Sequence, residues 1–373
     1  MRIGFITDTH FGYKRFEKDA LVQGKEAIIA AAEEADLLIL GGDNFDVALP
    51  KMETLAEVAD ILQQATKIMK SKGISYVPIV GIHGNHDRRA KGYVNPTELL
   101  ARMGLLEYIH NKTIQRTLGD ETVAISGLGN VPDDLAKEAL RQFSCRPVTN
   151  AFNILVIHQT FQEFEVIEHE NYLTFDDLPA GYDLYLCGHS HKPNLDGKIL
   201  NPGSTVITQL RKDEIGKRGW LLYDTKAKKA EFRSIASREF VWLEHEFSNA
   251  TPKEVERKVW EIFNNYANKN KIVKVVLNGT LVTGFQTSDI HLPNFTEDFF
   301  VENRINSENF REKINEIRKK REQKLSAKDF GIDILKKHLA NTNYNLGDPS
   351  ELFASLVDGT AFEKIKEQIE KEN

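Results

Sequence analysis

Cysteine is nearly absent from this chain. Its 373 residues include two, Cys145 and Cys187, on different segments. That excludes a disulfide framework and points to a reducing, cytoplasmic compartment. Long apolar runs are missing as well: hydrophobic residues make up an ordinary 41%, yet no stretch approaches the ~20 apolar residues of a membrane span. The start, Arg2-Ile3-Gly4-Phe5-Ile6-Thr7-Asp8, reads as a strand and not as a signal peptide. Positive charge is not in excess, since 49 Lys and Arg face 55 Asp and Glu for a net charge of −6. Any nucleic-acid contact must then rest on local basic patches. No internal repeat is apparent. The length exceeds one compact core and implies two or three domains.

What is present in the first third is an alternation of short apolar runs with helical patterns. Ile3 to Thr7, Asp36 to Leu40 and Tyr76 to Val80 read as strands. Residues 17–35 and a stripe from Leu55 to Met69 after Pro50 read as helices. That order implies right-handed crossovers and a mostly parallel, buried sheet. Thr113 to Gln115, Thr122 to Ser126, Phe152 to Ile157 and Tyr182 to Cys187 are further strands, with a short helix over 133–143. Runs near Gly219, Glu231 and Phe240 are expected to join them in a second sheet. The fold class expected is α/β: two facing mixed β-sheets flanked by helices, with a small αβ module and helical C-terminal pieces appended.

The strand ends carry the chemistry. Asp8 and His10 follow the first strand, Asp43 the second, and Asn85 and His86 the third; His158, then His189 and His191, follow two later ones. Ligands bind beyond the carboxyl ends of strands in such sheets. Carboxylate, imidazole and amide oxygen without thiolate suit Mn²⁺, Fe²⁺ or Zn²⁺ in an open site. Seven donors (Asp8, His10, Asp43, Asn85, His158, His189, His191) are too many for one ion and about right for two. A pair ~3.5–4 Å apart, bridged by a carboxylate such as Asp43, activates water and holds phosphate oxygens. His86, one residue beyond Asn85, is placed to act as a general acid. His83 reads as a structural residue of the Gly-rich turn, and Cys187 as a small buried strand residue.

Five blocks in order, Asp8-Thr9-His10, Gly42-Asp43, Gly84-Asn85-His86-Asp87, His158 and Gly188-His189-Ser190-His191, resemble the calcineurin-like metallophosphoesterase superfamily. The resemblance implies one ion on Asp8, His10, Asp43 and His191, and another on Asp43, Asn85, His158 and His189. Asp8-Thr9-His10-Phe11-Gly12-Tyr13, Gly42-Asp43-Asn44-Phe45-Asp46 and Asn201-Pro202-Gly203-Ser204 are similar to one branch of it. That branch is the DNA double-strand-break repair nuclease of the meiotic recombination eleven or SbcD type.

The narrower resemblance implies a nuclease domain over 1–236, a capping domain over 237–300, and a charged linker with ATPase-binding helices over 301–373. It implies two Mn²⁺ per subunit, endo- and exonuclease action on double- and single-stranded DNA ends, and a homodimer paired through the 55–69 and 95–103 helices. The partner implied is a coiled-coil SMC-like repair ATPase of the Rad-fifty or SbcC type, in a nucleoid-associated complex. Some archaeal members carry His where this chain has Asp46, while bacterial ones carry Asp, so this position adjusts activity. Lys14, Arg15, Arg88, Arg89, Lys91, Arg211 and Lys212 lie on the ligand loops and are candidate phosphate contacts. Two other readings stand beside this one: a phosphoesterase or phosphatase for small substrates, and a non-catalytic scaffold that tethers DNA ends.

Overall fold

A computed structural model describes residues 1–165, 169–267, 269–307, 331, 332, 334–336, 339 and 348–359. The charged 312–324 segment and Phe362, Ile365 and Ile369 lie outside them. The chain forms two compact units. The first comprises Met1–Leu243, Phe263–Val275 and Phe295–Val301; the second comprises Glu244–Ile262, Val276–Asn294 and Glu302–Asn373.

In the first unit, β1 (Arg2–Ile6), β2 (Leu37–Gly41), β3 (Ile79–Ile82) and β4 (Glu107–Tyr108) run parallel. Helices α1 (Glu17–Glu34), α2 (Met52–Ser71) and α3 (Pro96–Arg102) make the crossovers. β3 begins three residues later than its apolar run suggests. Pro78 has no N–H for the ladder, although its carbonyl accepts from Leu38 N at 2.8 Å. The second sheet has the order β5-β6-β7-β8-β9: β5 (Lys112–Leu118), β6 (Glu121–Leu128), β7 (Phe152–His158), β8 (Leu184–Gly188) and β9 (Ile199–Leu200). β5 is antiparallel to β6, and the rest are parallel.

One sheet assignment from the sequence is corrected. β10 (Gly219–Asp224) and β11 (Lys229–Ser234) extend the first sheet, with β10 antiparallel to β1. Pairing with β1 fixes the placement, and the side chains of β10 alternate between two cores. Leu221 and Tyr223 enter the core between the sheets, and Trp220 and Leu222 the core under the helices. β12 (Phe240–Ala250) joins neither sheet. It heads a third, in the order β12-β13-β14, with β13 (Ile272–Leu281), β14 (Phe299–Asn303) and β15 (Asn306–Ser307) beside β13.

The inter-sheet core includes Ile3, Phe5, Leu37, Ile39, Val80 and Ile82 from one sheet and Ile125, Ile154, Val156 and Leu186 from the other. Both faces of these parallel strands are covered, so their apolar runs are continuous. Helix α4 (Asp133–Arg141) covers the outer face of the second sheet through Ala136 and Leu140. The two sheets therefore bring their carboxyl strand ends to one place.

In the second unit, Thr251 and Glu254 cap the start of α5 (Pro252–Tyr266) reciprocally: Thr251 N–H donates to Glu254 Oε2 at 2.8 Å, and Glu254 N–H to Thr251 Oγ1 at 3.4 Å. Helix α6 (Pro349–Val357) buries Leu352 and leaves Leu356 and Val357 exposed.

Candidate metal centre

Each ligand loop is built by close backbone contact. After β1, Asp8 N–H donates to Gly42 O and His10 N–H to Asp43 O, both at 3.0 Å. Asp8, His10, Asp43 and His189 all have positive φ: 53°, 44°, 46° and 86°. Non-glycine residues rarely adopt such angles, and they collect at functional sites. Gly84 is required by proximity, since a Cβ there would lie 2.1 Å from Asp43 Oδ1.

Asp87 ties two of these loops together. Fully buried, it accepts from Gly84 N at 2.6 Å, Asn44 N at 3.2 Å and Thr97 Oγ1 at 3.0 Å. Its partners are therefore backbone groups of both loops and the first turn of α3, not the His86 ring. Burial, with the nearby Asp43 charge, raises its pKa to about 7.

Eight residues singled out from the sequence converge here. His10 Nε2 and His191 Nε2 are 3.2 Å apart. Asp8 Oδ1 lies 4.0 Å from the first and 3.6 Å from the second. A second cluster is centred on His158, whose Nε2 is 3.4 Å from Asp43 Oδ2 and 3.3 Å from Asn85 Oδ1. Asn85 Oδ1 is in turn 2.9 Å from His189 Nδ1. Asp43 Oδ2 is also 3.9 Å from His10 Nε2, so it stands between the clusters. Among the described residues, three groups each bring one donor atom per residue within 4.8 Å of one another: Asp8–His10–His191, His10–Asp43–His86 and Asp43–His158–His189.

The donor set fits divalent cations. Two ring nitrogens and a carboxylate face one another within 4 Å in a buried site. Burial by itself would raise the pKa of Asp43, yet the adjacent His158 overrides it and holds the carboxyl far below the usual range. Burial likewise opposes charge on His158, and Asp43 reverses that, lifting its pKa to about 9. This buried carboxylate calls for positive charge beside it, which a metal ion supplies. His189, by contrast, is lowered to about 4 by burial and by neighbouring His158, leaving a neutral ring.

His86 differs from the donors. Its side chain is 41% exposed. Its backbone N–H donates to Asp43 Oδ1 at 2.8 Å, and its ring Nδ1 lies 3.0 Å from Asp46 O. Contact with Asp46 raises its pKa to about 9 against the opposing effect of burial. It can therefore hold a proton on the open side of the site.

Sequence reasoning missed a layer behind the imidazoles. His158 Nδ1 meets Gly41 O at 2.8 Å and His10 Nδ1 meets Asp46 Oδ1 at 3.3 Å. His189 Nε2 meets Thr160 Oγ1 at 3.0 Å and His191 Nδ1 meets Thr208 Oγ1 at 2.6 Å. Glu214, 3% exposed, receives Gln209 N at 2.8 Å and Thr208 N at 3.1 Å. Burial would raise its pKa, but His191 and Arg218 bring it down to about 2. Arg218 is buried and donates to His191 O and Ser204 Oγ, each at 3.2 Å. Thr208, Glu214 and Arg218 follow the Asn201-Pro202-Gly203-Ser204 turn without a periodic pattern, so no sequence signal marks them.

His83 is structural, as the sequence implied. It is buried between Asn130 O at 3.0 Å and the Tyr108 hydroxyl at 2.6 Å, and burial lowers its pKa to about 3. Cys187 is buried, with its thiol pushed up to about 12. The basic candidates are less uniform. Lys14 and Arg15 are exposed in a short 3₁₀ turn, with Arg15 over the Phe300 ring. Arg88 donates to Asn130 Oδ1 at 2.9 Å, Arg89 to Val94 O at 3.3 Å, and Arg211 pairs with Asp213 at 2.8 Å.

Residues 1–193, which carry every residue of this cluster, match the family model described as calcineurin-like phosphoesterase. The chain belongs to that family. Within it, the chain is similar to the DNA double-strand break repair protein Mre11 of Methanopyrus kandleri, 29% identical over 314 residues, or 75% of this chain and 65% of that protein. The Mre11 of Sulfurisphaera tokodaii is 30% identical over 222 residues, 56% of this chain and 54% of that one. The double-strand break repair protein mre-11 of Caenorhabditis elegans is 26% identical over 296 residues, 63% of this chain and 40% of that one. The matches span 40–65% of the length of these relatives. A calcineurin-like phosphoesterase that keeps seven polar donors and a proton carrier in one cluster has the means for metal-dependent phosphate-ester hydrolysis.

Proposed function

We propose that this chain is the nuclease subunit of a DNA double-strand-break repair complex, hydrolysing phosphodiester bonds with two Mn²⁺ ions per subunit. One observation carries the reading: donor groups flank Asp43 on both sides, with His86 at the open face. Asp8, His10, Asp43 and His191 would hold one ion, and Asp43, Asn85, His158 and His189 the other. Such a pair supplies Lewis-acid charge and an activated water, so no covalent enzyme intermediate is needed.

The chain's own residues do the rest. Asp46 holds the ring of His86, leaving Nε2 to donate a proton to the departing oxygen. Gly84 and Gly42 let two ligand loops touch without side-chain bulk. Exposed Lys14 and Arg15, with Arg88, Arg89, Arg211 and Lys212 on the other ligand loops, meet DNA phosphates.

The similarity to DNA double-strand break repair proteins supports DNA breaks as the setting of the reaction. A coiled-coil repair ATPase as partner and a cytoplasmic, nucleoid-associated complex are part of the same proposal. The capping domain is assigned to 237–300 and the partner-binding segment to 301–373. A homodimer through α2 and α3 accounts for the exposure of Met52, Leu99 and Met103. A monomeric mass in light scattering at micromolar concentration would refute it.

One assay tests the central reading. The protein is incubated with Mn²⁺ and with hairpin DNA, blunt-ended DNA or a generic phosphate ester, with and without the ATPase. Metal-dependent DNA cleavage is expected. Turnover of the ester alone would mark a small-substrate phosphoesterase, and DNA binding without cleavage would mark a scaffold.

A further inference from the structure

His189 and His191 are alternate residues of one loop, yet they turn different nitrogens inward. His189 directs Nδ1 at Asn85 Oδ1, and His191 directs Nε2 at His10 and Asp8. Behind each ring stands a threonine hydroxyl, and behind each hydroxyl a carboxylate. Thr160 Oγ1 is 3.0 Å from His189 Nε2 and 3.2 Å from Asp133 Oδ1. Thr208 Oγ1 is 2.6 Å from His191 Nδ1 and 3.3 Å from Glu214 Oε1. The direct separation of His191 Nδ1 and Glu214 Oε1 is 3.6 Å, too long for a hydrogen bond.

Counting protons fixes the direction of both chains. A carboxylate only accepts, and a hydroxyl has one proton to give. Once the threonine donates to its carboxylate, only oxygen lone pairs remain for the imidazole. The outer ring nitrogen must then carry the hydrogen, and the inner one must present a lone pair. We propose that Thr160 and Thr208 are positioning residues that lock His189 as the Nε2–H tautomer and His191 as the Nδ1–H tautomer, each by relaying a carboxylate through its hydroxyl. The inner lone pairs are those that the two-ion reading above assigns to metal, and the proposal rests on that reading only for their use.

The hydroxyl in between sets the ring's orientation through its own hydrogen bond, while the carboxylate, 3.6 Å from His191 Nδ1, sets the direction of that bond. With the outer nitrogen carrying the hydrogen, the inner nitrogen presents the lone pair that a cation needs.

The test uses the full chain labelled with ¹⁵N-histidine. Long-range ¹H–¹⁵N spectra of the metal-free protein at alkaline pH report each neutral tautomer, with resonances assigned by single histidine substitutions. The expected spectrum has His189 as Nε2–H and His191 as Nδ1–H. Thr160→Val should release the first only and Thr208→Val the second only, whereas Thr160→Ser and Thr208→Ser should leave them unchanged. A wild-type His191 in the Nε2–H form overturns the proposal even if no valine variant folds, and so do valine variants with unaltered tautomers.

Mn²⁺ calorimetry is the second readout. Each valine variant should lose roughly 10- to 100-fold in affinity at one ion, restored by serine. Wild-type protein that binds no Mn²⁺ would sink the two-ion reading while the tautomer spectra still decide this one. Two wild-type ions bound unchanged in both valine variants would overturn the positioning role itself.

Discussion

Asp46 and His86 are joined twice: the ring Nδ1 of His86 lies 3.0 Å from the backbone oxygen of Asp46 and 3.5 Å from its carboxylate. The same carboxylate is 3.3 Å from His10 Nδ1. One acid thus orients both a candidate metal donor and the exposed proton carrier. A change at position 46 therefore acts on the metal site and on the leaving group together.

Replacement of His86 by Asn or Ser should leave Mn²⁺ and DNA binding near wild type and slow cleavage by roughly 10²- to 10⁴-fold, the range for loss of a general acid. Binding isotherms and single-turnover cleavage measure the two separately. Full cleavage by such a variant removes His86 from the mechanism.

The Asp46–His86 pair also gives a pH signature. The His86 pKa is raised from 6.5 to about 9 in the folded, metal-free chain. A raised folded pKa means that the folded state binds the extra proton, so this contribution to stability is complete below about pH 6.5 and is lost as pH rises through about 9. Asp46→Ala should bring the value back toward 6.5 and flatten the fall in urea midpoint across that window. An unchanged titration of His86 by NMR would show that Asp46 is not the cause.

Asp87→Ala should strand the N–H groups of Gly84 and Asn44 in a buried place, at about 1–3 kcal/mol for each unpaired group. Asp87→Asn also fails in part, because an amide offers one acceptor oxygen where the carboxylate offers two. Denaturant unfolding and Mn²⁺ titration should worsen together. Lowered stability with intact Mn²⁺ affinity would show that the two loops keep their geometry without this tie.

Lys14→Ala and Arg15→Ala should weaken binding of all DNA sequences alike. Each should make the slope of log affinity against log salt shallower by about 1 if the side chain meets a phosphate. Arg211→Ala should change the slope less, since Arg211 is already paired with Asp213. Equal slopes for all three variants and wild type would place phosphate contact elsewhere.

The clustered polar residues were legible in the sequence because strand ends are. An apolar run followed by Asp, His or Asn states both position and chemistry, as Ile6-Thr7-Asp8 and Leu186-Cys187-Gly188-His189 show. The destination of β10 was not, because its alternation is the same in either sheet and only pairing with β1 decides it. Thr160, Thr208 and Glu214 stayed hidden for another reason. They act on histidines 17 to 29 residues away along the chain, through contacts that have no local pattern. Arg218 also went unmarked: it is buried as a structural cation, whereas its exposed neighbours Arg211 and Lys212 drew notice.

Four of the site's residues, Asp8, His10, Asp43 and His189, sit at backbone angles that glycine would take more easily. Each such position holds of order 1 kcal/mol of strain. Evolutionary drift therefore has a downhill direction here. Glycine at His189 would relax the loop and delete a donor in one step, so a descendant freed from selection for cleavage could lose its chemistry and gain robustness. Laboratory evolution for heat resistance alone, with no screen for turnover, should find these four codons early, and a library meant to keep the activity should hold them fixed.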